Sequence, residues 1–218
     1  MINQGIAHFA QYELQIIALS WLAVWYFLKI YKVIRLPMPW EKGTPKGSAL
    51  SGVLNSYAAL FMPWSMESSR KHPWRWAEFA AYHVGAIVAI LNTFTTPFTP
   101  GLMTQPVRVT FAVLIAPAIV LGVVKLVRRI TRPEMRQINT TEDYFALAAV
   151  EVFLFLAVMA LAIDSSLWRT LYFFVTAVFL FYLPFSKISH YIYLLFAGAI
   201  TGSRYGWRGV RPQLRSAK

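Results

Sequence analysis

The stretch VRVTFAVLIAPAIVLGVVKLVRR, residues 107 to 129, decides the fold of this chain. No charged residue stands between Arg108 and Lys125. A helix of about 20 apolar residues crosses the roughly 30 Å hydrocarbon layer of a bilayer. Pro117 and Gly122 are compatible with this reading, since membrane helices tolerate both residue types. The stretch therefore predicts a transmembrane helix.

Four further apolar runs have the same length and character. The chain of 218 residues is 57% hydrophobic and only 14% charged, and its mean hydropathy is +0.50, which is unlike a soluble globular protein. We predict an all-α integral membrane bundle of five transmembrane helices, forming a single membrane domain over residues 1–218 in the cytoplasmic (inner) membrane. The predicted helices are 12–34, 76–97, 107–129, 143–163 and 170–193.

The basic residues predict the orientation of the bundle. Cytoplasmic loops carry an excess of Lys and Arg. The cationic residues here lie at the ends of the first, third and fifth predicted helices or beyond them, whereas only Arg108 and Arg169 fall on the opposite side. We therefore expect an outside N-terminus and a cytoplasmic C-terminus. The residues that carry this prediction are Lys29, Lys32, Arg35, Lys125, Arg128, Arg129, Arg132 and Arg136.

Two segments outside the predicted helices face the cytoplasm in this topology. Residues 35–75 contain LSGVLNSYAALFMPW, whose apolar residues recur at roughly helical spacing. This pattern suits an interfacial helix that lies on the membrane or docks a partner, and it suits equally well a short helix that only packs inside the protein. Residues 202–218 form a basic tail.

Composition also narrows the chemistry. The chain has no cysteine, which excludes disulfides and cysteine-ligated iron–sulfur clusters within it. Its net charge of +12 is distributed between hydrophobic runs, so topology explains it better than nucleic-acid binding. A transporter is poorly indicated because the sequence has neither an inverted repeat nor a pair of broken helices in matching positions.

Two histidines stand in apolar surroundings far apart in sequence, His83 in AAYHVGAIVAIL and His190 in LPFSKISHYIYLLF. An ionisable side chain in a membrane helix is costly and marks a functional site by default. One such histidine is more often a packed, hydrogen-bonded residue, but two on different helices can ligate one metal centre. Two neutral imidazoles suit the axial positions of a heme iron.

Heme propionates need cationic or polar partners at the membrane edge. Arg75 and Lys187 are candidates for that role, and ordinary interfacial snorkelling is the competing interpretation. Other residues near the same predicted edge are Lys71, Ser186 and Arg204.

Three segments resemble the gamma subunit of respiratory nitrate reductase and its relatives, over roughly residues 76–205. They are HVGAIVAILNTFTTPFTP, VRRITRPEMRQINTTEDYFALAAVE and, most specific, PFSKISH within LPFSKISHYIY. RLPMP and the long first loop look more like the membrane cytochromes of dissimilatory sulfite reductase-associated, heterodisulfide reductase or hydrogenase complexes.

The resemblance implies a specific heme content. In the nitrate reductase type, four histidines bind two b hemes. The pair nearer the cytoplasm matches His83 and His190, whereas the outer pair falls on Thr93 and Tyr172, which do not ligate heme iron in this family. We therefore expect one heme b. His8 is a weak candidate for a replacement outer ligand, and His72 is expected to snorkel or to meet a propionate or partner subunit.

Other polar residues interrupt the apolar helices. Glu151 lies inside the fourth helix, where a carboxylate is costly; it either exchanges a quinol proton, with Lys125 or Arg128 as its charge partner, or is a neutral group hydrogen-bonded between helices. Glu78 is either a proton group or a partner of Arg75. Asn92 and Thr93 are expected to bond across helices.

Together these features predict a b-type cytochrome subunit rather than a complete enzyme. It would pass electrons between a membrane quinone and a cytoplasmic iron–sulfur partner of the heterodisulfide reductase or nitrate reductase beta type, docked on the basic face. With one heme, the quinone is expected to react in the cytoplasmic half of the bilayer. The alternative is a heme-free membrane anchor or assembly subunit.

Overall fold

The computed structural model describes residues 4–37, 43–62, 64–65 and 67–210. Helices dominate these residues, and no strand occurs among them. The predicted all-helical fold class is therefore confirmed. In chain order the α-helices are α1 Gln4–Gln11, α2 Glu13–Arg35, α3 Ala49–Phe61, α4 Glu67–Lys71, α5 Pro73–Phe98, α6 Gln105–Thr131, α7 Pro133–Ile138, α8 Thr141–Ala162, α9 Ser166–Tyr182 and α10 His190–Trp207.

Five helical segments of the described chain are long and apolar enough to cross a membrane, as predicted. They support a multi-pass membrane protein, while the direction of the termini stays a prediction. The segments are Gln4–Arg35, Pro73–Phe98, Gln105–Thr131, Thr141–Ala162 and Ser166–Phe185.

The chain divides into two compact units. The first contains the described residues up to Phe27 together with Glu78–Ile188, and the second contains Leu28–Ala77 together with the described residues from Ser189 onward. The core of the first unit is built from α5, α6, α8 and α9. Its buried residues include Ala89, Ile115, Ala118, Leu154, Ala157 and Phe173.

Local signals explain where α8 begins. Thr140 and Asp143 form a capping box, in which the Asp143 carboxylate accepts from the backbone N–H of Thr140 at 2.7 Å. This arrangement satisfies donors at a helix N-terminus that have no partner within the helix. The helix begins two residues before the start of the predicted helix 143–163.

The last predicted transmembrane helix, 170–193, is interrupted. Helix α9 ends at Tyr182, and tight turns at Leu183–Phe185 and Lys187–Ser189 precede a separate helix that begins at His190. Pro184 cannot donate a backbone hydrogen bond. The Ser186 hydroxyl donates to the Leu183 carbonyl at 2.9 Å and accepts from the Ile188 N–H at 3.2 Å. These local bonds replace the helical ones.

The second unit contains α3 and α10, which pack closely against each other through small residues. A Cβ atom at Gly202 would lie 2.7 Å from the Gly52 carbonyl oxygen and 2.8 Å from the Val53 Cα, so only glycine allows this approach. The Tyr57 hydroxyl donates to the Leu195 carbonyl. Helix α3 is therefore a packing helix along this face, which supports the second of the two interpretations of residues 35–75.

The predicted basic tail, 202–218, starts inside a helix. Residues 202–207 belong to α10, and Gly202 is buried. Gly209, at φ +67°, follows the helix in the left-handed conformation that suits glycine. Residues 211–218 of the tail and residues 38–42 of the predicted loop lie outside the described residues.

Candidate functional site

His83 lies within α5 and is half-buried. Its Nδ1 lies 2.8 Å from the carbonyl oxygen of Phe79, one turn earlier. A carbonyl can only accept, so the proton of the neutral ring is on Nδ1. Nε2 is then the basic nitrogen, and a histidine oriented through its other nitrogen in this way has the tautomer of a metal ligand.

The neighbouring residue, Tyr82, links this histidine to Glu151. The rings of Tyr82 and His83 have centroids 6.1 Å apart. The Tyr82 hydroxyl donates to Glu151 Oε1 on α8 at 3.1 Å. A Tyr–carboxylate bond thus crosses from α5 to α8 directly beside His83.

The second carboxyl oxygen of Glu151 is buried, and it has no hydrogen-bond partner among the described residues. The carboxyl group packs against Gly122 of α6, where a Cβ atom would overlap it. An unpaired buried oxygen is costly for a carboxylate and less so for a protonated carboxyl group. Glu151 is therefore an ionisable group with one buried oxygen, Oε2, that makes no hydrogen bond among the described residues.

Lys125 on α6 brings a cation to this pair. Its Nζ lies 3.9 Å from the centroid of the Tyr82 ring, on the same tyrosine that binds Glu151. Such contacts between an ammonium group and an aromatic face are attractive. Of the two partners predicted for Glu151, the structure thus brings Lys125 to the site.

Arg128, the other predicted partner, binds Glu78 instead. Its two terminal nitrogens donate to the two carboxylate oxygens at 3.1 and 3.3 Å, a bidentate pair between α6 and α5. Glu78 was expected either to exchange protons or to pair with Arg75, and its carboxylate pairs with Arg128.

Thr93 and Tyr172 contact each other. Their hydroxyl oxygens are 2.8 Å apart, and Tyr172 donates to the Ala89 carbonyl at 2.9 Å. Tyr172 is 1% exposed and Thr93 is 5% exposed. Asn92 is also buried and accepts a bond from Thr96 within α5. Thr93 therefore makes the predicted cross-helix bond, which occupies the space between α5 and α9.

Lys187 is held at the start of α8. Its Nζ lies 2.8 Å from Asp143 Oδ2 and 2.9 Å from Thr140 Oγ1, and its backbone N–H donates to Glu142 Oε1 at 2.7 Å. These contacts position the turn that precedes His190. A role of Lys187 toward a propionate stays a prediction.

His190 and Arg75 belong to the second unit. His190 is the first residue of α10 and is exposed, rather than lying inside a transmembrane helix as predicted. The reason is the break at Pro184 and Ser186. Arg75 is exposed, and its guanidinium lies 5.1 Å from the centroid of the Trp74 ring, consistent with snorkelling at a membrane edge.

The two remaining histidines have local contacts. His8 is exposed, and its Nδ1 lies 3.1 Å from Glu13 Oε1. The ring centroids of His72 and Trp74 lie 6.3 Å apart. Within the described part of the chain, no group of three or more His, Cys, Asp or Glu residues could hold a metal ion. The heme-ligand roles of His83 and His190 stay predictions.

Sequence reasoning missed Tyr82 and Gly122. Tyr82 could have been found because a tyrosine in an apolar helix needs a partner for its hydroxyl, and Glu151 is such a partner. For Gly122, the sequence indicates only a residue type that membrane helices tolerate, whereas in the structure the Glu151 carboxyl packs against it.

Comparison of the chain with known protein families, with curated proteins and with solved structures finds no match.

Proposed function

We propose that this protein is a membrane subunit of a respiratory-type complex, a b-type cytochrome that transfers electrons between a membrane quinone and an iron–sulfur partner. The observation that carries the proposal is the placement of a histidine and a buried carboxyl group on the same tyrosine: His83 at 6.1 Å ring to ring, and Glu151 at 3.1 Å. Quinone chemistry needs an electron acceptor and a proton acceptor close together, and this arrangement supports both roles.

His83 and His190 are the proposed ligands of one heme b. Their donor chemistry fits the group, because bis-imidazole ligation is typical of low-spin heme iron. When bound, the heme supplies one-electron transfer. For His83, the bond from Nδ1 to the Phe79 carbonyl supports the role, since it holds the ring in one tautomer and orientation.

Glu151 is the proposed proton-exchanging group. Its Oε2 atom lacks a partner among the described residues, so it can accept a proton without breaking an existing hydrogen bond. The Tyr82 hydroxyl orients the carboxyl group through Oε1. Lys125 adds a positive charge beside the same tyrosine.

One heme rather than two is proposed. Thr93 and Tyr172 are in direct contact and buried, which supports a closed space where the resembling family has its second heme. The quinone would then react near His83 and Glu151. The iron–sulfur partner would dock on the face where the basic residues gather, and it would determine the substrate of the complex.

A reduced-minus-oxidised visible spectrum of the purified protein tests this proposal. We expect a b-type band and a pyridine hemochrome content of one heme per chain. His83→Ala and His190→Ala should each abolish the band. His8→Ala is the matched control, because His8 is exposed and contacts Glu13, and it should leave the spectrum unchanged.

Two results would contradict the proposal. A wild-type complex without the band would favour the heme-free anchor. Two hemes per chain would refute the single-heme arrangement and, with it, the placement of the quinone near Glu151.

The proton role of Glu151 has a separate test. Glu151→Gln should slow heme reduction by a short-chain quinol by at least about tenfold, while the heme content stays at one per chain. Glu134→Gln, on the exposed surface of α7, is the control. Equal rates in both variants would exclude Glu151 as the proton acceptor.

A further inference from the structure

A cavity of about 420 Å³ lies in the first unit, at the end opposite Arg128 and Glu78. It is formed where α5 ends, α6 and α9 begin, and α1 meets α2. Its volume is within the range of about 300 to 1,000 Å³ that is usual for small-molecule sites. Neither the proposed histidine ligands nor Glu151 line it.

The polar side chains that line this cavity are rich in hydrogen-bond donors. No Asp or Glu is among the described residues that line it. Guanidinium groups donate only, and the Asn92 amide can also donate. The hydroxyl protons of Tyr12, Thr96 and Tyr172 are already donated within the protein. Such a lining suits a ligand with several acceptor atoms and a negative charge. The main polar residues are Arg108, Arg169, Asn92, Thr96, Tyr12 and Tyr172.

Both arginines are anchored by one bond that leaves other donors on the guanidinium. Arg108 Nε donates to the Leu161 carbonyl at 3.0 Å, across from α6 to the end of α8. Arg169 Nη2 donates at 2.9 Å to Asp164, whose side chain is 80% exposed. A guanidinium has five N–H donors, so each arginine has further donors for a ligand.

We propose that this cavity binds the phosphate group of an anionic ligand, with Arg108 and Arg169 as the two cationic contacts. Arginine matches phosphate through paired, charge-assisted hydrogen bonds. The cavity lies at the ends of apolar helices long enough to cross a bilayer, which is the depth of lipid headgroups. A soluble phosphate monoester would offer the same chemistry, and this inference does not depend on the proposed heme.

The test measures binding to the purified, delipidated full-length protein in a neutral detergent. Dioleoylphosphatidylglycerol is compared with dioleoylglycerol, which has the same acyl chains without the phosphate, and with sn-glycerol 3-phosphate as the soluble arm. We expect saturable binding that requires the phosphate. The Arg108→Gln/Arg169→Gln variant should weaken it by at least about tenfold.

Two control variants separate a ligand contact from a structural effect. Arg136→Gln removes an exposed arginine of α7 outside the cavity and should leave the dissociation constant unchanged. Asp164→Asn removes the partner of Arg169 and should leave binding equal or tighter. The melting temperature of each variant without ligand reports whether it is folded, and if the double variant unfolds, Arg169→Gln alone is used.

Each outcome decides the question. Tight binding of phosphatidylglycerol alone supports a lipid headgroup, and tight binding of glycerol 3-phosphate supports a soluble phosphate. Equal binding of the two lipids with no binding of glycerol 3-phosphate overturns the proposal. So does unchanged phosphate-dependent binding in the folded arginine variant.

Discussion

The hydroxyl groups of Thr93 and Tyr172 lie 2.8 Å apart in the core between α5 and α9. Both side chains are buried, and Tyr172 also donates to the Ala89 carbonyl. In a membrane protein, a bond of this kind satisfies polar groups that hydrocarbon would leave unpaired. The two residues therefore stabilise direct contact between these helices.

This bond predicts an energetic coupling between the two residues. Thr93→Val and Tyr172→Phe should each lower the free energy of unfolding. The double variant should lose less than the sum of the two single losses, and the difference, the coupling energy, should be roughly 0.6 to 1.7 kcal/mol. Unfolding of the purified protein in mixed detergent–SDS micelles measures it. Thr95→Val is the control, because the Thr95 hydroxyl donates only within α5, to Leu91. Full additivity would show that the bond contributes nothing.

Gly122 should be essential to the Glu151 site. Gly122→Ala places a methyl group where the Glu151 carboxyl lies, so we expect a loss of about 1 to 3 kcal/mol in the free energy of unfolding. The residual protein should also be slower in quinol-dependent heme reduction. Gly101→Ala is the control, because nothing lies within 4 Å of its added Cβ atom. A normal stability for Gly122→Ala would mean that Glu151 can move away.

The packing of α3 against α10 should fail when its small residues are enlarged. Gly52→Val and Gly202→Val each place a side chain against the backbone of the partner helix. We expect each substitution to lower the free energy of unfolding by about 1 to 3 kcal/mol or more. Gly198→Ala should cost less, because its neighbour is the ring of Tyr57, which can shift. Thermal unfolding in detergent gives the ranking, with Gly43→Ala as the neutral control. Equal effects at Gly43 and Gly202 would disprove the close contact.

The contact between Lys187 and Asp143 should contribute modestly. The Lys187 side chain is 49% exposed and the Asp143 side chain 19% exposed, and such pairs contribute about 0.2 to 1 kcal/mol. Lys187→Met and Asp143→Asn should each lower the free energy of unfolding. The loss should be larger for Asp143→Asn, because this substitution also weakens the cap of α8. The exposed pair Lys71 and Glu67 serves as the comparison and should give almost no effect. A larger loss at Glu67 than at Asp143 would contradict this interpretation.

The sequence by itself determined which segments of this chain can span a membrane, because hydropathy and length are local properties. Neighbouring residues alone show the apolar run that ends at Lys125, and they also show that Glu151 lies inside an apolar helix. The residues around Pro184 and Ser186 are apolar, so hydropathy predicts one helix over 170–193 with His190 inside it. In the structure, α9 ends at Tyr182 and His190 begins a separate helix.

Only the tertiary structure decided which polar groups meet. Tyr82 rather than Arg128 binds Glu151, Arg128 rather than Arg75 binds Glu78, and Thr93 closes on Tyr172. It also showed that Gly52 and Gly202 bring α3 and α10 together. The physical reason is that lipid is as apolar as the helices themselves, so hydrophobicity cannot select a helix's partner. Close packing of small residues and hydrogen bonds between distant positions make that selection.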